Sequence, residues 1–385
     1  MYPTVSDIIK DIFGVNIPLP IQSFGLFVAI SFIIAAWIVM LELKRKEKSG
    51  IISVIKKKIL IGKSASIKEL ITMVLLGFVL GFKLLEIVFN YSSFASNPQI
   101  FIFSYKGSII GGIVGAFAAA YLRYKEKQKQ KLEKPYWDEI DVHPYELTGN
   151  IIVFGAIFGI IGARIFDILE NFDEFLLNPI DTIISFSGLT FYGGLIMAAI
   201  AIIWYARKNK IQPLVICDVA APAIMIAYAI GRIGCQVAGD GDWGIANTMI
   251  KPNWLSFLPD WLWAYDYPHN VNNVGEKILN CMGNHCSHLV PPVFPTPIYE
   301  TTVCALFFVV LWSIRKRIKT TGVMFAIFII LNGFERFFIE KIRVNTQYHI
   351  FGRGITQAEI ISTLLFFCGI ALYIYVIKKK RKENL

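Results

Sequence analysis

The sequence predicts an all-α polytopic membrane protein with about nine transmembrane helices, an outer N-terminus, an inner C-terminus and a head segment on the outer side. Apolar blocks of about 20 residues recur along the chain, the length that crosses about 30 Å of hydrocarbon. Lysine and arginine gather in short clusters between these blocks, as in cytoplasmic membrane loops. Hydrophobic residues make up 55% of the 385 residues and charged residues 17%, which excludes an ordinary soluble domain.

Nine apolar spans follow one another along the chain. The start of the chain lacks a basic segment followed by an apolar run and a small-residue cleavage site, so we expect no cleavable signal peptide before the first span. The loops between successive spans are basic on one side of the membrane and poor in Lys and Arg on the other. Omitting one weak span would reverse this alternation everywhere after it, which supports a count of nine spans. The spans cover residues 22–43, 69–89, 108–123, 150–170, 189–206, 213–234, 298–314, 321–340 and 357–377.

The loops between the spans alternate in charge. Five basic segments carry 27 of the 38 Lys and Arg residues, and the segments on the other side carry 7. The positive-inside rule therefore predicts that these five segments lie on the cytoplasmic side of a bacterial-type membrane. This distribution makes membrane lipid the expected partner, and the net charge of +10 does not indicate nucleic acid. The basic segments are 44–68, 123–149, 207–212, 315–320 and the tail 378–385.

A two-helix unit occurs twice along the chain. Segment 74–98 matches segment 155–179, and each copy leads into a glycine-bearing span. The copies have the same orientation, unlike the inverted repeats of many transporters. Matched pairs include Gly81/Gly162, Lys83/Arg164, Glu86/Asp167 and Asn90/Asn171.

We divide the chain into a first span with its loop (1–68), an extra helix pair with its loop (69–149), core spans four to six (150–234), the outer head (235–297) and core spans seven to nine with the tail (298–385).

Charges inside the hydrocarbon region are costly, so each one is a functional candidate. Arg164, Asp167 and Glu170 lie at a spacing of three along one stripe of the fourth span. They could bind a substrate or form an internal ion pair that stabilises the bundle.

The segment GRIGCQVAGDGDWG (231–244) ends the sixth span. Arg232 lies at the outer membrane rim, and Asp240 and Asp242 add carboxylates to the same turn. Glycines allow tight turns and a close approach to a ligand, and this segment contains Gly231, Gly234, Gly239, Gly241 and Gly244. The alternative is a glycine-packed helix end with a snorkelling arginine.

On the eighth span, the segment RFFIEKIR places Arg336, Glu340 and Arg343 at i, i+4 and i+7. This spacing predicts one shared helix face. Two guanidinium groups on one face suit a phosphate, which arginine grips through parallel hydrogen bonds. A structural Arg–Glu–Arg network is the alternative.

Further candidates begin the fifth and seventh spans. Tyr192 stands in FYGG, with Gly193 and Gly194, and Tyr299-Glu300 stands in PTPIYE. The tyrosines could be aromatic anchors at the interface, whereas Glu300 enters a span.

The head contains Cys281, His285, Cys286 and His288. Their spacing does not match a common zinc pattern, so we expect a Cys281–Cys286 disulfide and no metal. No P-loop, GxSxG or HExxH motif is present, and the candidate residues gather at the outer leaflet. These observations favour chemistry on, or binding of, a lipid headgroup.

Taken in order, these motifs resemble those of the prolipoprotein diacylglyceryl transferases. The family signature GRxGNFxNxExxG resembles GRIGCQVAGDGDWG, and its HGGL element resembles Tyr192-Gly193-Gly194-Leu195. Its HPxQLYE and RFxxExxR elements resemble PTPIYE and RFFIEKIR, and its GxRxG-type span resembles GARIFDILEN. The resemblance covers residues 20–43 and 150–378, so segment 69–123 would extend a seven-span core to nine.

The resemblance implies transfer of a diacylglyceryl group from phosphatidylglycerol to the lipobox cysteine of preprolipoproteins, without a cofactor. Arg232 and Arg336 would hold the phosphate with support from Arg164, and Glu340 would orient an arginine. Because Tyr192 replaces the HGGL histidine, Tyr192 or Asp240 could be the base, or the thiol could ionise unaided. Cys235 and Ala238 replace the signature asparagines, Asp240 its glutamate, Asn332 a tyrosine before RFxxE and Phe24 an early tyrosine. These departures leave a second hypothesis, a non-catalytic protein that binds or translocates phospholipid.

Overall fold

The computed structural model describes residues 1–15, 17–96, 98–184, 188, 190–350 and 353–383. Nine long helices lie in this described part of the chain, and five shorter helices accompany them. The long helices are α2 (Ser23–Lys48), α3 (Ile67–Phe89), α6 (Ile109–Lys129), α7 (Thr148–Glu170), α10 (Phe191–Lys208), α11 (Pro213–Ala238), α12 (Thr296–Ile314), α13 (Val323–Glu340) and α14 (Gln357–Glu383). The short ones are α1 (Val5–Phe13), α4 (Tyr91–Ser96), α5 (Pro98–Phe103), α8 (Phe172–Leu177) and α9 (Pro179–Ile184).

Six of the long helices are apolar enough over a sufficient length to cross a membrane: α2, α3, α7, α11, α12 and α14. The protein is therefore a mostly helical, polytopic membrane protein. Each predicted span falls on one long helix, although several helices extend beyond their apolar block. Helix α2, for example, continues to Lys48, because lysine, arginine and glutamate are good helix formers where the chain leaves the hydrocarbon.

The central bundle is built around α11, which packs against α2 and α12, while α13 packs against α14. One apolar cluster joins α2, α7, α10 and α11, and includes Leu43, Ile151, Ala206 and Val219. A second joins α11, α12 and α13 through Met225, Leu311 and Phe328. The two clusters fix the relative positions of the helix ends that carry the charged candidates.

A buried charge network that was not predicted from the sequence holds one end of the bundle together. Glu42 on α2 accepts hydrogen bonds from Arg45 at 2.6 Å and from Arg315, just after α12, at 2.7 Å. Lys46 pairs with Asp218 on α11 at 3.3 Å. Both carboxylates are 1% exposed. The charge of Asp218 inside an apolar span was the signal that could have revealed it.

Asp218 also fixes the start of α13. Its carboxylate accepts the backbone N–H groups of Gly322 at 2.8 Å and Phe325 at 3.0 Å, which are donors that a helix start leaves unsatisfied. Near the end of α14, Lys380 binds the Thr320 hydroxyl at 3.0 Å. The basic segments after α2 and α12, before α11 and at the end of α14 therefore lie at the same end of the bundle.

The repeat is a structural duplication. Helices α3, α4 and α5 correspond to α7, α8 and α9 with an offset of 81 at every start and end. Each copy has the same close helix crossing: a Cβ added to Gly81 would lie 2.1 Å from the Gly111 carbonyl, and one added to Gly162 would lie 2.5 Å from the Gly193 carbonyl. Such small residues allow membrane helices to pack closely.

Among the described residues, three two-stranded sheets lie in the loops, which an all-α prediction does not include. Strands β1 (Ile55–Ile61) and β2 (Tyr136–Val142) are antiparallel and join the two basic loops that flank the first helix pair. Strands β3 (Glu276–Lys277) and β4 (Ser287–His288) lie in the head. Strands β5 (Gln347–Ile350) and β6 (Arg353–Thr356) precede α14.

The head is fixed to the end of α11. The Tyr267 side chain is fully buried and donates to Gln236 Oε1 at 2.7 Å. Asn270, also fully buried, donates to the carbonyls of Val274 at 2.9 Å and Ser287 at 3.1 Å. The predicted Cys281–Cys286 disulfide is confirmed: the two residues are joined, with their Cα atoms 5.7 Å apart.

Candidate active site

Three chain segments meet to form a cluster of charged side chains. Arg232 comes from the last turns of α11, Glu300 from the first turns of α12, and Arg336 with Glu340 from the last turns of α13. Arg343 follows α13. The glycine-bearing turn after α11 contributes Asp242. We call these groups the arginine cluster.

Glu300 is the centre of the arginine cluster and is fully buried. Its carboxylate accepts from Arg232 Nε at 2.6 Å, from Arg343 Nη1 at 2.7 Å and from the Tyr228 hydroxyl at 2.5 Å. The guanidinium of Arg232 also lies over the Tyr228 ring, 5.0 Å from its centre. Tyr228, which faces Glu300 from α11, was not among the residues predicted from the sequence.

Asp242 also pairs with Arg232 and Arg343, the two arginines that contact Glu300. Its Oδ1 accepts from Arg343 Nη2 at 2.5 Å, and its Oδ2 pairs with Arg232 Nη1. The turn that carries it begins with Gly239 at φ 64° and Gly241 at φ 99°, conformations that glycine adopts without strain. The Thr296 hydroxyl fixes the turn by donating to the Asp242 carbonyl at 2.7 Å.

The structure gives Asp240 and Asp242 different partners. The resemblance aligned Asp240 with the signature glutamate, but Asp242 is the carboxylate between the arginines. Asp240 Oδ1 instead accepts the backbone N–H of Asp242 at 3.3 Å. Burial raises the pKa of the Asp240 carboxyl. Asp240 therefore lies next to the arginine cluster and supports its turn.

The shared helix face predicted for Arg336, Glu340 and Arg343 is wrong in one part. Arg336 Nη2 pairs with Glu340 Oε2 at 3.0 Å as the spacing predicts, and Asn345 donates to Glu340 Oε1 at 2.6 Å. Helix α13 ends at Glu340, however, and Arg343 forms a backbone bridge with Gly244. Leaving the helix turns the Arg343 side chain towards Glu300 and Asp242.

The predicted stripe on the fourth span forms a separate polar group on α7. Arg164 pairs with Asp167 at 2.5 Å, and Asn171 donates to Asp167 Oδ1 at 3.1 Å. Thr190 donates to Glu170 at 3.2 Å, which ties the stripe to the start of α10. Tyr192 makes an edge contact with the Phe191 ring at 5.7 Å. In the described part of the chain, no hydrogen bond joins Tyr192 to the arginine cluster.

The predicted glycines have packing roles. A side chain at Gly234 would meet Phe27 of α2, and one at Gly244 would lie 2.4 Å from the Ile342 carbonyl. Gly193 and Gly194 lie against the α7 backbone, whereas a Cβ at Gly231 would meet open space. Of the seventh-span pair, Tyr299 donates to the Leu262 carbonyl at 2.5 Å and so fixes the head.

One group of potential metal ligands occurs in the described part of the chain: Cys235, Asp240 and Asp242, whose ligand atoms lie within 4.8 Å of one another. Because the Asp242 carboxylate is already paired with two guanidinium groups, a cation bound there would be repelled by both arginines. An anion that took the place of Asp242 would instead be paired with both guanidinium groups.

Comparison with known proteins identifies the family of this chain. The family model for prolipoprotein diacylglyceryl transferase matches residues 11–146 and 137–375, so each matched segment holds one copy of the helix pair. The phosphatidylglycerol–prolipoprotein diacylglyceryl transferase of Leptospira interrogans is 26% identical over 322 residues, covering 71% of this chain and 89% of its own. The protein of that name from Streptococcus sanguinis is 29% identical over 275 residues, covering 70% and 90%. That from Shouchella clausii is 28% identical, covering 60% and 76%. The chain belongs to the prolipoprotein diacylglyceryl transferase family.

Proposed function

We propose that this protein transfers a diacylglyceryl group from phosphatidylglycerol to the cysteine thiol in the lipobox of preprolipoproteins. The observation that carries the proposal is the convergence of Arg232 and Arg343 on one carboxylate, Asp242, beside a third arginine, Arg336. Two guanidinium groups that each hold one oxygen of a carboxylate can hold two oxygens of a phosphodiester in the same way. The names of the relatives support the same substrates.

Unused hydrogen-bond donors support phosphate binding at this place. Arg336 Nη1 and Arg343 Nε are buried and have no protein acceptor among the described residues. A buried donor without a partner is costly, and a bound phosphate would supply acceptors. Phosphate would compete with Asp242 for Arg232 and Arg343, so lipid binding requires the turn after Gly239 to shift. Arg164 on α7 supports binding from a second position, and Glu340 orients Arg336.

The protein has an apolar surface between α13 and α14 that suits the acyl chains of the lipid. A cavity of about 240 Å³ lies between α13 and α14, lined by Phe334, Phe337, Phe338 and Phe366 among others. Two of its lining residues, Phe337 and Phe338, directly follow Arg336 in the sequence, so a phosphate at the arginines would direct an acyl chain along the aromatic side chains. Gly231 faces open space and leaves room for the lipid, whereas close packing at Gly234, Gly239, Gly244, Gly193 and Gly194 holds the surrounding segments in place.

In the proposed reaction, the arginines hold the phosphate group that leaves. The sulfur of the lipobox cysteine attacks the terminal glyceryl carbon, the carbon–oxygen bond to phosphate breaks, and glycerol phosphate leaves with the electron pair. The leaving phosphate gains negative charge, and preorganised cations stabilise that charge most strongly where water is excluded. The arginines therefore act on the transition state as well as on binding.

We place the reaction at the outer face of the inner membrane, with nine spans, an outer N-terminus and an inner C-terminus. The basic segments share one end of the bundle, and the arginine cluster lies at the opposite end with the head. Exposed Trp254 and Phe257 of the head, 75% and 76% exposed, would lie in the membrane interface. The five-part division of the chain follows this topology, with 69–149 as an added unit.

A depleted strain tests the function. Expression of this protein in bacteria depleted of their own transferase should restore growth and the lipidation of a reporter lipoprotein. Purified protein should move labelled diacylglycerol from phosphatidylglycerol vesicles to a lipobox peptide and release glycerol phosphate. Binding of the lipid without transfer would instead support the non-catalytic hypothesis, to which the replacements at Tyr192, Cys235 and Ala238 point.

A further inference from the structure

A buried carboxylate next to the arginine cluster has no partner. Glu335 lies on α13 and is 5% exposed, and neither of its carboxylate oxygens has a hydrogen-bond partner in the part of the chain that the structure describes. Buried polar groups are normally paired, because an unpaired one loses hydration without compensation. A residue that bears this cost beside a reaction centre is a candidate for a functional role.

The other acids of the site are occupied. Glu300 is held by two arginines and a tyrosine, Asp242 by two arginines, and Glu340 by Arg336 and Asn345. A carboxylate fixed in charge-assisted hydrogen bonds is a poor proton acceptor, because accepting a proton weakens those bonds. Asp240 accepts from the turn that it supports. Glu335 is the acid of this site, within the described residues, whose oxygens are both unengaged.

Glu335 precedes Arg336 on α13 and lies beside the arginine cluster. It lies within electrostatic range of Glu300, Arg336, Arg232 and Arg343. On α14, Glu359 pairs with Lys341. The titratable and charged groups around Glu335 are Tyr228 and Arg232 on α11, Glu300 and Cys304 on α12, Arg336 on α13 and Arg343 after it.

We propose that Glu335 is the proton acceptor for the substrate thiol, an assignment that rests on the proposed function. The thiolate is the reactive form of cysteine, and at neutral pH most free thiol is protonated. The family resemblance places Tyr192 at the HGGL histidine, and Tyr192 has no hydrogen bond to the cluster in the described structure. Glu335, a carboxylate beside the arginine cluster, would supply the missing base.

The proposed step is a direct displacement with proton transfer. The S–H proton passes to a carboxylate oxygen of Glu335 while the sulfur electron pair forms the bond to the terminal glyceryl carbon. The carbon–oxygen bond to phosphate breaks, and its electron pair leaves with glycerol phosphate, which the arginines hold. The proton on Glu335 then passes to the departing phosphate, which restores the carboxylate for the next turnover.

The test compares Glu335→Gln with wild type in purified transferase assays. At neutral pH the variant should lose about 100-fold or more in kcat, the usual contribution of a positioned base, with an unchanged KM for phosphatidylglycerol. Its kcat should recover as pH rises towards about 8.5, where the free thiol ionises unaided. A selenocysteine lipobox peptide, which is ionised at neutral pH, should restore near wild-type rates.

Two further variants separate chemistry from packing. Cys304→Ala, a change in a fully buried neighbour, should leave the pH profile unchanged. If Glu335→Gln does not accumulate in cells, Glu335→Asp, which keeps a carboxylate on a shorter side chain, is compared with wild type in the same assays. Wild-type kcat in Glu335→Gln at neutral pH, or an equal loss with the cysteine and selenocysteine peptides, overturns the assignment alone. Absence of transfer by the wild-type protein instead overturns the proposed function.

Discussion

At the scale of single residues, the site depends on a carboxylate that is fully removed from water. Glu300 compensates for its burial by accepting from two arginines and one tyrosine. Such a network contributes little as a sum of attractions, because desolvation offsets them, but it becomes costly when one member is removed. The positions of Arg232 and Arg343 are therefore determined by Glu300 before any lipid binds.

Substitution of Glu300 should destabilise the protein more than substitution of its neutral partner. Glu300→Gln leaves two buried guanidinium groups without their counter-charge, and we expect a loss of about 3–5 kcal/mol. Tyr228→Phe removes one hydrogen bond to a charged group, with an expected loss of about 1.5–3 kcal/mol. Unfolding in detergent, followed by circular dichroism, measures both. A smaller loss for Glu300→Gln than for Tyr228→Phe would contradict this role of Glu300.

The contact between His143 and Glu47 should make stability depend on pH. His143 Nδ1 lies 2.6 Å from Glu47 Oε1, and this hydrogen bond raises the pKa of His143. A raised pKa in the folded state means that the stabilisation is complete below the ordinary histidine pKa of about 6.5 and is lost as pH rises through the raised value. The difference in melting temperature between wild type and His143→Gln should therefore be larger at pH 5.5 than at pH 8.5. An equal difference at both values would show that the charge of His143 contributes nothing.

Residue identities alone predicted most of the site, but not its pairing. Arg232, Glu300, Arg336 and Glu340 were all identified from their places in or beside apolar spans. The sequence did not single out Asp242, because two carboxylates separated by a single glycine fit the signature about equally well. The left-handed conformations of Gly239 and Gly241 direct Asp242 to the arginines, and sequence does not reveal them. Glu335 was overlooked, although its charge within an apolar span was visible.

At the scale of helices, the first helix pair repeats the second in form but not in chemistry. Lys83 stands where the second copy has Arg164. Its ammonium donates to the backbone carbonyls of Phe101 at 3.0 Å, Ser104 at 2.5 Å and Lys106 at 2.7 Å. Lys83 therefore fixes the turn between α5 and α6 and uses its donors within the protein.

We expect Lys83→Met to reduce stability while leaving transfer per folded molecule within about twofold of wild type. The lost hydrogen bonds involve a charged donor, so the expected cost is about 1.5–3 kcal/mol. Arg164→Met, at the matching position of the second copy, should reduce the rate of transfer. Melting temperature and turnover, measured together at equal protein concentration, give both results. Loss of transfer in Lys83→Met at normal stability would mean that the first pair belongs to the site.

The helices themselves were well predicted, because long apolar blocks bounded by basic clusters leave few alternatives. Each predicted span coincides with a long helix to within a few residues at most ends. The eighth span was predicted to end at residue 340, where α13 ends, but the helix face drawn through to Arg343 was wrong, because the chain leaves the helix at Glu340. The pairing of β1 with β2 was also missed, because the whole first helix pair separates these strands in the sequence, and no local pattern encodes such a contact.

At the scale of the whole molecule, the two ends of the helix bundle carry different sets of charged residues. One end carries the basic segments and the buried network of Glu42, Lys46 and Asp218, whereas the other carries the arginine cluster and the disulfide-bonded head. A lipid phosphate and a translocated peptide would meet at the second end. This separation gives the proposed orientation of the molecule in the membrane.

Cysteine labelling in intact cells tests that orientation. In a background whose four free cysteines are replaced, a cysteine at Glu276 should react with an impermeant maleimide, because this exposed position lies in the head. A cysteine at Gln128, exposed at the end of α6, should react only after the cells are permeabilised. Reversed labelling would invert the whole topology.

The most direct test of phosphate binding by the arginine cluster is the lipidation of a lipobox peptide by three alanine variants at equal protein level in membranes. Arg232→Ala and Arg336→Ala should each lose transfer by about tenfold or more, since a lost hydrogen bond to a charged group costs about 1.5–3 kcal/mol and each 1.4 kcal/mol is about tenfold in rate. Lysine at either position should rescue poorly, because it cannot form parallel hydrogen bonds. Cys235→Ala should retain transfer, because the substrate thiol attacks the lipid directly. Full activity in both arginine variants, or total loss in Cys235→Ala alone, would contradict the phosphate-binding role of the arginine cluster.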